Sequence, residues 1–316
     1  MDFLRSGGLE SWRSSSFAAK FTLMNPHIAI VSYFSIGAYD ANTIDEDQLL
    51  SQVLKKLGLS HQIVAWSDPE VNWSNFSHLL IKSVWDYFDY YPEFLAWMDQ
   101  IQALRLPVLN DLDLIRWNSD KRYLMEIESK GFPTIAGVLL EKGSKPDVGR
   151  IMQKIKTDTL VIKPVVSGGA KNTLKIPVNR WADFENQVIQ LLKQEEFLAQ
   201  PFVKEVAEVG EYSLLFFNGA FSHAVLKTPA KEDFRVQHYF GGTIQVVHPG
   251  PDLLNPAQKL IDEFGKNTLY GRVDGVLIEG VFHLMELELI EPYLFLGLTK
   301  DALSNYKKAV RERLLS

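Results

Sequence analysis

Cysteine is absent from the 316 residues, which removes disulfides, thiolate zinc sites and cysteine nucleophiles from consideration. That absence is easiest to reconcile with a reducing cytoplasm, which is the expected location. No apolar run approaches the roughly 18 residues needed to span a bilayer, so no membrane partner is expected. Basic residues are not in excess: 33 Lys and Arg against 39 Asp and Glu leave a net charge of -6. A general nucleic-acid surface would need a basic stripe, whereas a few cations in a cleft suffice for a small anion. Neither common nucleotide signature occurs, since there is no Gly-x-x-x-x-Gly-Lys-Ser/Thr run and no Gly-x-Gly-x-x-Gly after the first strand. None of the seven histidines stands in a His-Glu-x-x-His pattern. A compact signal segment is also lacking: Met1 to Leu23 is rich in Ser and Arg, and Met24-Asn25-Pro26 leads into an apolar run. Residues 1–24 therefore read as a loosely ordered extension, or as an upstream start chosen over Met24.

What is present is a 46% hydrophobic, 23% charged composition, ordinary for a globular protein, in a chain long enough for two or three lobes. Ile28 to Val31 has the length of a buried strand. Asp45 to Leu57 puts Leu49, Leu50, Val53, Leu54 and Leu57 on one helical face, with Gly58 to stop it. Strands at Gln62–Trp66 and Leu79–Ser83 and a helix at Pro92–Leu104 complete an alternation that implies a small parallel α/β sheet. Beyond Asp111, Ser119 can cap a helix reaching Lys130, which Gly131 and Pro133 would end. Thr159 to Ile162 reads as a strand, and Asn179 can cap a helix from Arg180 to about Glu195. From Phe197 the signals turn to β. Asn218-Gly219 between Leu214–Phe217 and Ala220–Leu226 is a hairpin signature, because Asn-Gly accepts the positive φ of a type I′ turn. Asn255-Pro256 would open a helix to Phe264, Arg272–Ile278 and Phe282–Leu289 form a second strand pair around Glu279-Gly280, and a last helix follows Thr299.

Chemistry concentrates in that second pair. Asp274, Glu286 and Glu288 interrupt apolar strands, and Glu286 and Glu288, two apart, share a face. Two carboxylates about 5–7 Å apart repel by roughly 2–3 kcal/mol at an effective dielectric near 20. A hard cation with oxygen ligands removes that cost, but a half-exposed strand with its polar face in water satisfies the same spacing. Geometry separates the two readings. A plain two-residue turn at Glu279-Gly280 sets Asp274 opposite Met285, on the wrong face, and only an odd loop or a bulge sets it opposite Glu286. Upstream, Lys163 ends a strand just before Ser167-Gly168-Gly169-Ala170, where glycine-rich amides and a lysine can meet phosphate oxygens. Gly-Gly pairs after strands are also ordinary turns.

Taken in order, these pieces resemble the ATP-grasp superfamily, over roughly residues 116–298. Asn118-Ser119-Asp120-Lys121 looks like the first ATP lysine, Val161-Ile162-Lys163-Pro164 like the second, followed by a mobile loop with Ser167, Gly168 and Gly169. Gln200-Pro201-Phe202-Val203 looks like the hinge, where Phe202 and Val203 would meet adenine. Glu211 falls where the family has an acidic residue near the ribose, in competition with Glu205 and Glu208. Arg272-Val273-Asp274 and Glu286-Leu287-Glu288 resemble the family's metal strands, with Glu288 in place of asparagine. Trp85-Asp86-Tyr87, Phe221 to Val225, Phe234 to Gln237 and Met285 to Pro292 are similar to a bacterial branch that contains cycloserine synthetases, except that Lys82 stands where that branch has arginine.

The resemblance implies an α/β chain in which a small parallel α/β domain (25–115) precedes a two-lobed α+β grasp (116–316). Its lid lobe would span about 134–197 and its C-terminal lobe about 198–316. It implies ATP with magnesium, or manganese in its stead, held by Asp274, Glu286 and Glu288, with Arg272 and Arg235 as catalytic groups. The expected activity joins a small carboxylate to an amine through an acyl phosphate. A kinase that stops at phosphoryl transfer and a silent ATP-binding regulator are the alternatives. Small molecules are the expected partners, and a homo-oligomer is compatible with the sequence. No base for the amine is identifiable.

Overall fold

The computed structural model describes residues 27–34, 40–230 and 242–315. The proposed N-terminal extension and Arg235 lie outside them. β1 (His27–Ser32), α1 (Asp40–Lys56), β2 (Ser60–Ala65), β3 (His78–Ser83), α2 (Tyr91–Leu104) and β4 (Val108–Leu109) build the first sheet, all parallel, in the order β2-β1-β3-β4. Helices cover both of its faces, which is why β1 and β3 are continuous apolar runs instead of alternations. Ile28, Ile30 and Leu80 pack on Leu50, Val53 and Leu54 of α1, while Ala29, Val31, Leu79 and Ile81 face Phe94, Trp97 and Ile101 of α2. Gly58, at φ +71, turns the chain out of α1, and the Leu59 amide donates to the Leu54 carbonyl to close the helix end.

A short helix not expected from the sequence, α3 (Leu112–Asn118), comes first, and the helix expected from Ser119 to Lys130 starts later, as α4 (Tyr123–Ser129). Asp111 caps α3 by accepting from the Asp113 amide, and Ser119 closes α3, its hydroxyl donating to the Arg116 carbonyl. The break has a cause: the Lys121 amide donates to the Val165 carbonyl, drawing the backbone toward the next lobe.

The second sheet is antiparallel, in the order β5-β8-β6-β7, from β5 (Val138–Leu140), β6 (Thr159–Pro164), β7 (Leu174–Pro177) and β8 (Phe197–Pro201). Its own core joins Leu160, Ile162, Ile176, Phe197 and Ala199 to Val148 and Met152 of α5 (Val148–Ile155) and Val188 and Leu192 of α6 (Trp181–Leu192). Asn179 does not cap α6; it sits in a 3-10 turn, Val178–Arg180, that runs into the helix at Trp181.

A short helix, α7 (Lys204–Glu208), leads into the third sheet: β9 (Glu211–Phe217), β10 (Ala220–Thr228), β11 (Thr243–Val247), β12 (Tyr270–Ile278) and β13 (Val281–Glu288), antiparallel in the order β11-β10-β9-β12-β13. Asn218 (φ 50) and Gly219 (φ 76) form the two-residue turn between β9 and β10. α8 (Pro251–Phe264) starts earlier than Asn255-Pro256 implies. Pro251 takes the first turn, where no amide is needed, and Pro256 is carried inside the helix. α9 (Lys300–Leu314) begins at Thr299, whose hydroxyl accepts from the Ala302 amide. No helix among the described residues is long and apolar enough to cross a membrane.

Candidate active site on the carboxylate hairpin

Glu279 (φ 50) and Gly280 (φ 80) make a plain two-residue turn, with Ile278 facing Val281. From that turn alone Asp274 would face Met285. The register shifts between Asp274 and Gly275, so that Gly275 faces Leu284 while Asp274 faces Glu286, Val273 faces Leu287 and Arg272 faces Glu288. Met285 is the extra residue of a β-bulge. Gly275 permits it: a Cβ there would stand 2.4 Å from Cζ of Phe282 and 2.6 Å from the His283 carbonyl oxygen. Met285 itself packs toward Ile135, Val203 and Val206. The bulge thus turns the glutamates onto the face of Asp274.

Each carboxylate on this face meets a cation. Asp274 accepts from Nε of Arg272 (2.9 Å), Nζ of Lys227 (3.0 Å) and the Ser213 hydroxyl (2.6 Å). Burial alone would raise its pKa, but Arg272 and Lys227 outweigh burial and hold it well below the usual carboxylate range. Glu288 pairs with Arg272, and Glu211, at the start of β9, pairs with Lys227 across the β9–β10 ladder. Glu286 pairs with Nζ of Lys121 at 2.8 Å, and that ammonium also donates to the Ser167 carbonyl at 2.8 Å. Negative charge remains in excess. Burial, opposed by Arg272 and reinforced by Asp274 and Glu286, pushes Glu288 up to about 8. Burial and Glu286, against Lys121, push Glu291 up to about 7.

Lys163 lies at the end of β6, and burial lowers its pKa while Glu286 opposes the shift. Its ammonium makes no hydrogen bond or ion pair with a described residue. Beyond it, Ser167 is buried, Gly168 abuts Phe88 so closely that a Cβ would come within 2.5 Å of that ring, and Gly169 takes φ +59. Lys171 of the same loop pairs with Asp89 of the first domain. At the proposed hinge, Nε2 of Gln200 donates to the Ile135 carbonyl (2.6 Å) and the Phe202 amide donates to the Thr159 carbonyl (2.8 Å). Glu205 lines a 550 Å³ cavity with Phe202 and Val203, whereas Glu211 is engaged in the charged cluster.

Among the described residues no three acidic or histidine side chains converge on a metal-sized centre, because Lys121, Arg272 and Lys227 occupy the carboxylates. Lys227, Ser213 and Glu291 escaped sequence reasoning. Lys227 and Ser213 were legible as polar residues inside the apolar strands Ala224–Thr228 and Ser213–Phe217, but only the three-strand register brings both to Asp274.

The family model for the N-terminal domain of the D-cycloserine synthetase DcsG matches residues 28–110. The cycloserine biosynthesis protein DcsG of Streptomyces lavendulae is 26% identical over 290 residues, which cover 84% of this chain and 92% of that protein. The crystal structure of D-cycloserine synthetase DcsG superposes with a TM-score of 0.79 at 25% identity, covering 91% of this chain and 99% of that one. The chain is an ATP-dependent ligase with the ATP-grasp fold. The D-alanine–D-alanine ligase of Bacillus anthracis, solved with ATP, shares the fold at a TM-score of 0.67 and 16% identity over 92% of this ligase and 97% of that chain. Lys82, the residue that departs from the branch's arginine, is internal in this ligase: its ammonium pairs with Glu46 at 2.9 Å and donates to the Pro292 carbonyl at 3.1 Å.

Proposed function

We propose that the ligase forms an amide between a small carboxylate and an amine on amino-acid-like substrates, with an acyl phosphate as the intermediate. The observation that carries this reading is the bulged register, which sets Asp274 and Glu286 face to face beside Lys121 and Lys163. A carboxylate oxygen would attack the terminal phosphorus of ATP with loss of ADP. The amine nitrogen would then attack the acyl carbon, with phosphate leaving and a proton released from nitrogen. Such chemistry asks the protein mainly for positioning and charge neutralisation.

Lys121 and Lys163 serve as the phosphate cations. The lack of any described partner for Lys163 supports this role, since a cleft lysine is best satisfied by an anion that arrives with the ligand. Ser167, Gly168 and Gly169 offer backbone groups over the phosphates, and Gln200, Phe202 and Val203 border the base. Because the Phe202 amide is bound to Thr159, the Val203 amide is the hinge's donor in this reading. Arg272 neutralises the phosphoryl group in transfer, with Arg235 as a second candidate beyond the described residues.

Magnesium would be held by Asp274, Glu286 and Glu288, which supply only carboxylate oxygens from one strand pair. When bound, the ion offsets phosphate charge and polarises the phosphoryl oxygens. To hold it, Glu286 and Glu288, with side chains 32% and 23% exposed, would have to exchange Lys121 and Arg272 for the ion.

The test is an ADP-release screen over amino acids and small amines with magnesium and ATP. Release that requires an acid and an amine together supports ligation. Release with alcohols alone means a kinase, and ATP binding without release under any pair means a regulator.

A further inference from the structure

We infer that Asn118 and Tyr123 are positioning residues for the two glutamates of the proposed metal site. They grip the chain at Leu287 and Leu289, between and just beyond Glu286 and Glu288, and so aim both carboxylates into the cleft. The inference rests on the ligase reading above and adds to it the groups that hold its ligands in line.

β13 is the last of the described strands in its sheet, so one row of its peptide groups has no strand beside it. Leu284, Leu287 and Leu289 are at most 1% exposed, and buried peptide groups need partners. The Met285 bulge makes the row uneven. Leu284 turns its amide and carbonyl to the outer edge, and Leu287 and Leu289 are the next to bond there, a step of three and then of two. A regular strand laid along this edge would fall out of step at the bulge.

The edge is covered in two ways instead. Before the bulge, backbone serves: the Leu284 amide donates to the Pro133 carbonyl at 2.9 Å, and the Leu284 carbonyl accepts from the Ile135 amide at 3.1 Å. After it, side chains take over. The Asn118 side-chain amide donates to the Leu287 carbonyl at 2.7 Å, and its oxygen accepts from the Leu289 amide at 2.8 Å. The Tyr123 hydroxyl accepts from the Leu287 amide at 3.0 Å. Asparagine suits this place because its side chain both donates and accepts.

The gap between α3 and α4 supplies both residues, Asn118 as the last of α3 and Tyr123 as the first of α4. They are 7% and 3% exposed, and Lys121 between them pairs with Glu286 at 2.8 Å. One turn of chain thus holds the backbone of the 286–289 segment and one of its side chains. Side-chain directions along a strand follow its backbone, so the three bonds at Leu287 and Leu289 set where Glu286 and Glu288 point. Groups that orient a metal's ligands without touching the ion are worth about 10- to 100-fold in metal affinity.

The test reads metal binding without turnover: Mn2+ is titrated into the protein with saturating ADP and followed by electron paramagnetic resonance. Asn118→Ala should raise the Mn2+ dissociation constant about 10- to 100-fold. Tyr123→Phe, which keeps the ring and loses one bond, should raise it less. In steady state both variants should raise the magnesium concentration for half-maximal ADP release in the same order. Val188→Ala, in the separate core of the second sheet, is the control for lost stability and should leave Mn2+ affinity unchanged. An equal loss of affinity in Val188→Ala would make the effect merely structural and overturn the inference. Should Asn118→Ala fail to fold, Asn118→Asp, which accepts from Leu289 but cannot donate to Leu287, carries the same test beside Tyr123→Phe. Unchanged Mn2+ affinity in the folded variants overturns the inference and leaves the ligase reading standing. A wild type that binds no Mn2+ overturns it together with the metal site of that reading.

Discussion

Glu286 and Asp274 face each other but are not equivalent, and their surroundings say which can be removed cleanly. Asp274 is locked among Arg272, Lys227 and Ser213, so truncating it strands two buried cations. Glu286 has a single ion-pair partner, Lys121, and a third of its side chain is exposed. Glu286→Ala should therefore cost less than loss of Asp274, about 1–3 kcal/mol, because it leaves the buried Lys121 ammonium with only the Ser167 carbonyl, while lowering magnesium-dependent ADP release by about a hundredfold or more. Thermal melts and magnesium titrations of turnover check it, and retained turnover at normal magnesium affinity would remove Glu286 from the metal site. Residue types and spacings marked Asp274, Glu286, Glu288 and Lys163 as charges set in or at the end of apolar stretches, whereas Lys121, in the polar run Ser119-Asp120-Lys121-Arg122, was legible only through the family resemblance. Lys227 and Ser213 stood out only as polar residues in apolar strands, and it is the register bringing both to Asp274 that gives them a place in the site.

At the level of the elements, the strands were easier to read than their register. Apolar alternation and the two Gly turns outlined β9–β10 and β12–β13, while the bulge that aligns the carboxylates rests on Gly275 meeting Phe282 and the His283 carbonyl. No local propensity encodes that contact. A methyl group at Gly275 has no room, so Gly275→Ala should destabilise the protein by about 1–3 kcal/mol, as overpacking does. Because any relief shifts the β12–β13 pairing, it should also raise the magnesium concentration needed for half-maximal turnover. Urea denaturation together with a magnesium titration checks both effects, and a variant with wild-type stability and metal response would show that the bulge tolerates a Cβ. Helix starts failed in the same way. Ser119 and Asn179 have capping chemistry, but the Lys121–Val165 hydrogen bond and the 3-10 turn at Val178–Arg180 set where the backbone coils.

Across the whole molecule, the cores do not follow the order of the chain. One core joins Ile28, Ile30 and Leu80 of the first sheet and Leu50 of α1 to Leu215 and Tyr270 of the third sheet, Leu294 beyond β13 and Tyr306 of α9, so residues on both sides of position 115 are buried together. Sequence patterning, which reads contiguous stretches, has no means of seeing such a shared core. The second sheet keeps a core drawn entirely from Leu140 to Ala199. The Glu46–Lys82 pair, with side chains 1% and 0% exposed, clamps the joint between the first sheet and the 290–296 segment. Lys82→Met leaves Glu46 charged and without its ammonium, which should cost about 3–5 kcal/mol. The loss should fall on the first and third sheets as one unit and leave the second nearly untouched, because none of its core residues touches that joint. Hydrogen exchange read by peptide checks this: β1, β3 and β12 should lose protection together in Lys82→Met while β6 and β8 keep theirs. Parallel loss in all three sheets would mean that the molecule opens as a single cooperative block.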